Sequence, residues 1–390
     1  MINVLFIPLL LYLYLLGVTA QNENVSRDVF DSLEELSRLV DISYCVGTTG
    51  VQQPFQCLSR CIEFPDFELI TTWNTGVLLS DSCGYIALSH TTPKRIIIAF
   101  RGTYSITNTI IDLSAYPQSY IPYTGEPSTP GPKCDNCTVH AGFMSSWVHT
   151  RTTILPHVAA ALQKYPDYEV TLVGHSLGGA VAALAGLEMR LKGWDPLVTT
   201  FGEPMIGNGD FVKFFDEKFG FRDAVTIPPM KGQRFRRVTH IDDPVPLLPL
   251  REWGYRAHAG EMFISRSDLP PALEDVHVCA GDCDPRCIAG SDAPALLLGL
   301  YRDMHSRGSS ASTSECRSHD ESVSREDQVV MGERGSQDHT SCGRSKDELS
   351  ALSWDWSIIP GRYRLWELFY AHRDYFWRIG LCVPGGDPTG

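Results

Sequence analysis

Apolar and polar positions follow two different periods along this chain. Between residues 28 and 46, Val29, Phe30, Leu33, Leu36, Leu39 and Val40 recur at helical spacing, which predicts an amphipathic helix. Strand-like runs come next, at Glu68 to Trp73, Cys83 to Leu88 and Arg95 to Phe100. The last of these is continuously apolar after Arg95, as a strand buried on both faces requires. A helical stretch near Phe143 to Tyr165 leads into a further strand ending at His175, and an alanine-rich helical run follows. Pro196 to Phe201 and Arg236 to His240 again read as strands. Strands alternating with helices predict an α/β fold, a mostly parallel central sheet flanked by helices, in one domain without internal repeats. One segment interrupts it. Residues 302–353 contain no Phe, Trp or Tyr and are dominated by Ser, Asp, Glu, Arg and Gly. Such a composition buries too little apolar surface to offset the entropy of ordering, so a disordered insertion is expected, with order resuming at Trp354. The domain is therefore expected at residues 21–301 and 354–390.

The first twenty residues form an apolar run closed by Gly17-Val18-Thr19-Ala20, a secretory leader with cleavage expected after Ala20. The run is short for a bilayer span, and no later stretch is apolar enough, so a soluble extracellular protein is expected. Twelve cysteines agree with an oxidising compartment. The sequons at Asn24 and Asn136 are glycosylation candidates there. A formal charge of -13 speaks against nucleic acid or anionic head groups as partners and leaves a neutral ester open. A monomer is expected.

The densest chemistry lies at Gly174-His175-Ser176-Leu177-Gly178, between the strand and the alanine-rich helix. A strand, a Gly-x-Ser-x-Gly turn and a helix in that order are the nucleophile elbow of an α/β-hydrolase. The turn strains the serine backbone, so Gly174 and Gly178 must leave room for it. The helix N-terminus below Ser176 favours negative charge developing on a substrate.

A nucleophilic serine needs a base, and the base needs an orienting acid, in the chain order serine, acid, histidine. Two adjacent aspartates, Asp242 and Asp243, sit where a strand ends in the proline-pinned loop Pro244-Val245-Pro246, and either one alone could merely cap a turn. Six histidines follow them. His319 and His339 lie in the polar segment and His305 at its border. His258 is placed in an expected hairpin, Gly254 to Glu261, and His372 among aromatic residues that would exclude water. The residues by themselves leave both choices open.

Four motifs together resemble the secreted fungal class 3 lipases, in the same order: Phe100-Arg101-Gly102-Thr103, Gly174 to Gly179, Thr239 to Pro246, and His372-Arg373-Asp374-Tyr375-Phe376-Trp377. The resemblance spans roughly Asp28 to Pro384. It implies an esterase that cleaves acylglycerols through an acyl-enzyme, with Ser176 as nucleophile, Asp243 as acid and His372 as base. It also implies Thr103 and the main-chain N–H of Leu177 as oxyanion donors. A lid carrying Ile106, Ile110, Ile111 and Leu113 would meet neutral lipid at an oil–water interface. It suggests the disulfides Cys45–Cys382, Cys57–Cys61 and Cys134–Cys137. Neither a cofactor nor a metal is expected: no fourth ligand is evident beside Cys279, Cys283 and Cys287. The run Cys134 to Gly142 also resembles feruloyl esterases on a similar scaffold, the alternative activity. A non-catalytic binding protein is the third reading, if the insertion displaces His372.

Overall fold

The computed structural model describes residues 24–76, 81–103, 117–122, 132–221, 232–281, 284–290 and 370–386. The leader at 1–20, the lid positions Ile106, Ile110, Ile111 and Leu113, and the insertion at 302–353 lie outside the described residues. So do Cys283, Cys316, Cys342, His305, His319 and His339.

The strands in chain order are β1 (Phe67–Asn74), β2 (Cys83–Ser89), β3 (Arg95–Arg101), β4 (Pro117–Ser119), β5 (Thr138–His140) and β6 (Glu169–His175). Then come β7 (Leu197–Phe201), β8 (Gly207–Asn208), β9 (Phe235–His240), β10 (Tyr255–Arg256), β11 (Glu261–Ile264) and β12 (Val276–Val278). The helices are α1 (Arg27–Ile42), α2 (Ala141–Lys164), α3 (Leu177–Leu191) and α4 (Gly209–Phe219). The large sheet has the order β1-β2-β3-β6-β7-β9-β11-β12. Its centre, β3 through β11, is parallel, while β1, β2 and β12 pair antiparallel at the margins.

Side-chain alternation divides the interior into two layers. In β3, Ile96, Ile98 and Phe100 face one core with Phe143, Trp147 and the apolar residues of α3 and α4. Ile97 and Ala99 face the other, with Leu33, Leu36, Leu39 and Val40 of α1 and with Tyr375, Phe376 and Ile379 near the C-terminus. Burial on both faces explains why β3 reads as an unbroken apolar run. Helix α1 starts on the Ser26 side chain, which accepts from Val29 N, and α4 ends on Gly220 in the left-handed region.

The hairpin expected between Gly254 and Glu261 does not form. Tyr255–Arg256 pairs with β8 in a small antiparallel sheet, β10-β8-β5-β4, whereas Glu261–Ile264 joins the large sheet parallel to β9. The residues between turn inward: Ala257, His258 and Ala259 are all buried, and His258 bonds Glu203. Binding that polar side chain in the interior separates the two strands into different sheets.

Because β3, β6, β7 and β9 are parallel, their C-terminal ends meet at one edge of the sheet. Past those ends lie Gly102-Thr103, Ser176, Gly202 and Asp243 respectively. Such an edge is where open parallel sheets bind ligands.

Candidate active site

Ser176 stands between β6 and α3 with φ 58° and ψ -130°, a backbone state disfavoured for any residue but glycine. Three close approaches keep it there. A Cβ on Gly174 would stand 2.2 Å from Gly178 O, and one on Gly178 would stand 2.5 Å from Phe100 O. A Cβ on Gly102 would come within 2.9 Å of Ser176 Cβ. The turn thus closes against the end of β3, which brings Thr103 beside it. Ser176 N donates to Phe201 O at 2.9 Å, tying the turn to β7 as well. Leu177 opens α3 and is buried.

Asp243 and His372 meet across 129 positions of sequence, with His372 Nδ1 2.9 Å from both carboxylate oxygens. Both side chains are buried. Tyr375 Oη donates to Asp243 Oδ2, and Val245 N donates to Oδ1 at 2.9 Å. Burial by itself would raise the Asp243 pKa. The electrostatic attraction of the adjacent His372 ring and the hydrogen bonds from His372, Tyr375 and Val245 outweigh it, so the carboxyl lies below its ordinary value. A carboxylate that only accepts assigns the proton to His372 Nδ1, leaving the Nε2 lone pair available. Neither His372 Nε2 nor Ser176 Oγ has a hydrogen-bond partner among the described residues, although both atoms are buried. The two atoms are therefore not hydrogen-bonded to each other in this structure.

The alternatives left open by the sequence separate in the fold. Asp242 is exposed, while its neighbour Asp243 is buried against His372. His258 is buried elsewhere: its Nε2 lies 2.8 Å from Glu203 Oε1, and its ring stacks on Phe215 with centroids 4.4 Å apart. Both nitrogens of His258 are engaged in hydrogen bonds, with Glu203 and with Ala259 O.

Three residues of the cluster escaped sequence reasoning. Tyr375 sits in the quoted His372 motif but carried no sign of its role. Tyr44 and Gly202 come from distant segments; only the position of Gly202, directly after a strand, hinted at a special backbone. Gly202 has φ 58° and packs on Asp243, His372 and Tyr375. Disulfides join Cys45–Cys382, Cys57–Cys61, Cys134–Cys137 and Cys279–Cys287. The buried Cys83 thiol donates to Asn74 Oδ1. Among the described residues no group of His, Cys, Asp and Glu is arranged to hold a metal ion, and no helix is long and apolar enough to cross a membrane.

Residues 97–253 match the family described as Lipase (class 3). Lipase A of Sodiomyces alcalophilus is 50% identical over 390 aligned residues, covering 94% of this chain and 85% of that protein. A secreted mono- and diacylglycerol lipase 2 of Gibberella zeae is 46% identical over 388 residues, with coverage of 94% and 85%. Among solved structures, the Lip2 lipase of Yarrowia lipolytica superposes with a TM-score of 0.65 at 34% identity, covering 72% of this chain and 92% of that one. The fold is that of an α/β-hydrolase.

Proposed function

Since this chain belongs to the class 3 lipases and is a carboxylic ester hydrolase of the lipase type, we propose that it is a secreted acylglycerol lipase whose triad is Ser176, His372 and Asp243. Ser176 Oγ attacks the ester carbonyl while its proton passes to His372 Nε2. Asp243 holds the opposite ring nitrogen and stabilises the imidazolium that forms. Main-chain N–H groups of Thr103 and Leu177, with the Thr103 hydroxyl, donate hydrogen bonds to the oxyanion; one such donor is worth about 3 kcal/mol of barrier. Collapse expels the alcohol, which takes the proton back from His372. Water then repeats the sequence on the acyl-enzyme and releases the fatty acid.

The single observation that carries this reading is the buried Asp243–His372 pair, because it orients a ring whose Nε2 is left basic, while the main chain of His372 is tied to His175, the residue before the strained Ser176. The substrate class follows the relatives, one of which is named for mono- and diacylglycerols. Secretion is supported by the apolar leader, by four disulfides among the described residues and by exposure of the sequon residues Asn24 and Asn136. The protein would act as a monomer on neutral ester at an oil–water interface.

The test is fatty-acid release from emulsified tri-, di- and monoacylglycerol, alongside soluble methyl ferulate, by the wild type and Ser176→Ala. The variant should lose roughly 10⁴-fold or more of turnover while keeping its melting temperature. Equal turnover in the variant would sink the triad. Release of ferulate alone would move the enzyme to the feruloyl esterases.

A further inference from the structure

The proposed triad leaves one buried histidine of the elbow without a task. His175 precedes Ser176 and is 1% exposed, yet its ring is bonded at both nitrogens. Nε2 lies 2.8 Å from the main-chain oxygen of His372, and Nδ1 lies 2.6 Å from the hydroxyl of Tyr44. Tyr44 belongs to the turn Ser43–Cys45 that follows α1, and it too is buried. Its oxygen also packs against Gly102, the residue before Thr103, where a Cβ would stand only 2.4 Å from it.

The direction of every bond is forced. A carbonyl oxygen only accepts, so His175 Nε2 carries the hydrogen and donates to His372 O. In the neutral ring Nδ1 then bears the lone pair, and the Tyr44 hydroxyl must donate to it. Burial and the nearby His372 push the His175 pKa down to about 3, so the ring stays neutral. Burial pushes the Tyr44 phenol upward, so it keeps its proton. The His175 and His372 rings also lie against each other, tilted by 32° with centroids 4.7 Å apart. His372 is therefore gripped at three places: Nδ1 by Asp243, one ring face by His175, and its own carbonyl by His175 Nε2–H.

We propose that Tyr44 and His175 are positioning residues: through the directed chain Tyr44 to His175 to His372 O, with Tyr44 packed against Gly102, they hold the oxyanion turn and the catalytic base in a common register. The assignment rests on Ser176, His372 and Thr103 having the roles proposed above. Neither residue touches substrate. Without the Tyr44 hydroxyl, His175 Nδ1 loses its donor. His175 is then free to move its proton to Nδ1, which would turn a lone pair toward the His372 carbonyl and release that grip.

Tyr44→Phe removes the hydroxyl and keeps the ring. On a soluble p-nitrophenyl ester, kcat should fall on the order of 10-fold or more, with KM within about 2-fold, since the loss is in transition-state geometry. The inhibition constant of an alkylboronic acid, which forms a tetrahedral adduct on the serine, should weaken in parallel with kcat/KM. A purely structural contribution would lower the melting temperature and leave both quantities unchanged per folded molecule. Unchanged kcat and boronate affinity would overturn the inference. If Tyr44→Phe does not fold, His175→Asn carries the same test with the same expected and overturning results. Ser176→Ala, assayed in parallel, separates the two readings. Turnover surviving there overturns the site and this inference together; turnover lost there but intact in Tyr44→Phe overturns the inference alone.

Discussion

Gly202→Ala is the sharpest test of how the site is built. Gly202 follows β7 with φ 58°, and its N–H donates to Val238 O at 3.1 Å, so its backbone cannot move without breaking the sheet edge. A Cβ there would stand 2.7 Å from Tyr375 Oη, 2.8 Å from Asp243 Oδ2 and 2.8 Å from His372 Cε1. Ordinary contact begins near 3.4 Å, so each of these atoms would have to retreat by about 0.6 Å or more. All three belong to one buried hydrogen-bonded unit, which ties down even the terminal oxygens of Tyr375 and Asp243. A displacement approaching 1 Å in such a unit costs roughly 100-fold in rate. The overpacking itself should destabilise by about 1–3 kcal/mol. Gly220→Ala is the matched control: its φ is 81°, but nothing lies within 4 Å of the new methyl. It should lose about 1 kcal/mol through the left-handed backbone alone and keep full activity. The assay is kcat/KM on p-nitrophenyl butyrate, with melting followed by circular dichroism for both variants. Gly202→Ala within about 3-fold of wild type would refute the crowding argument. An equal activity loss in Gly220→Ala would show that backbone strain, and not contact with the site, is responsible.

Asp41 is buried, and its carboxyl is pushed up to about 6 by that burial, against the lowering effects of Gly380 N–H, Ser59 and Arg60. The folded state holds this proton more tightly than the unfolded chain, so its contribution is complete below pH 3.8 and is lost as pH rises through 6. The Asp41→Asn melting curve should therefore differ from wild type by a gap that changes across that window, by about 3 kcal/mol at most, in chemical denaturation at pH 4 and pH 7. A constant gap would contradict it. The disulfide Cys45–Cys382 closes a separation of 337 residues and anchors the segment carrying His372. Cys382→Ser should cost about 2–5 kcal/mol, measured by the same denaturation, and should lower kcat as well; a change in neither would mean that packing alone holds the segment.

Local pattern made much of this fold legible in the chain itself. The period of α1, the two-sided burial of β3 and the strand-turn-helix around Ser176 are carried by neighbouring residues, because helical and strand periods are properties of short segments. The glycines at 174 and 178 belong to the same class, since the atoms they make room for lie a few residues away or on the adjoining strand. The remaining features depend on contacts that no local window contains. Asp242 and Asp243 are equivalent in sequence; the end of β9 exposes one and turns the other toward a histidine 129 positions away. His258 resembled a hairpin residue until Glu203, 55 positions earlier, drew it into the core. Gly202, Tyr44 and Tyr375 acquire their meaning only where the ends of β3, β6, β7 and β9 converge with the C-terminal segment. The sequence by itself determined the elements and the serine that one of them presents. Tertiary structure decided which of the two aspartates is buried against which histidine, a pairing that the motif resemblance implied and local pattern left open, because hydrogen bonding at 3 Å is set by how elements far apart in the chain are packed, and not by their order along it.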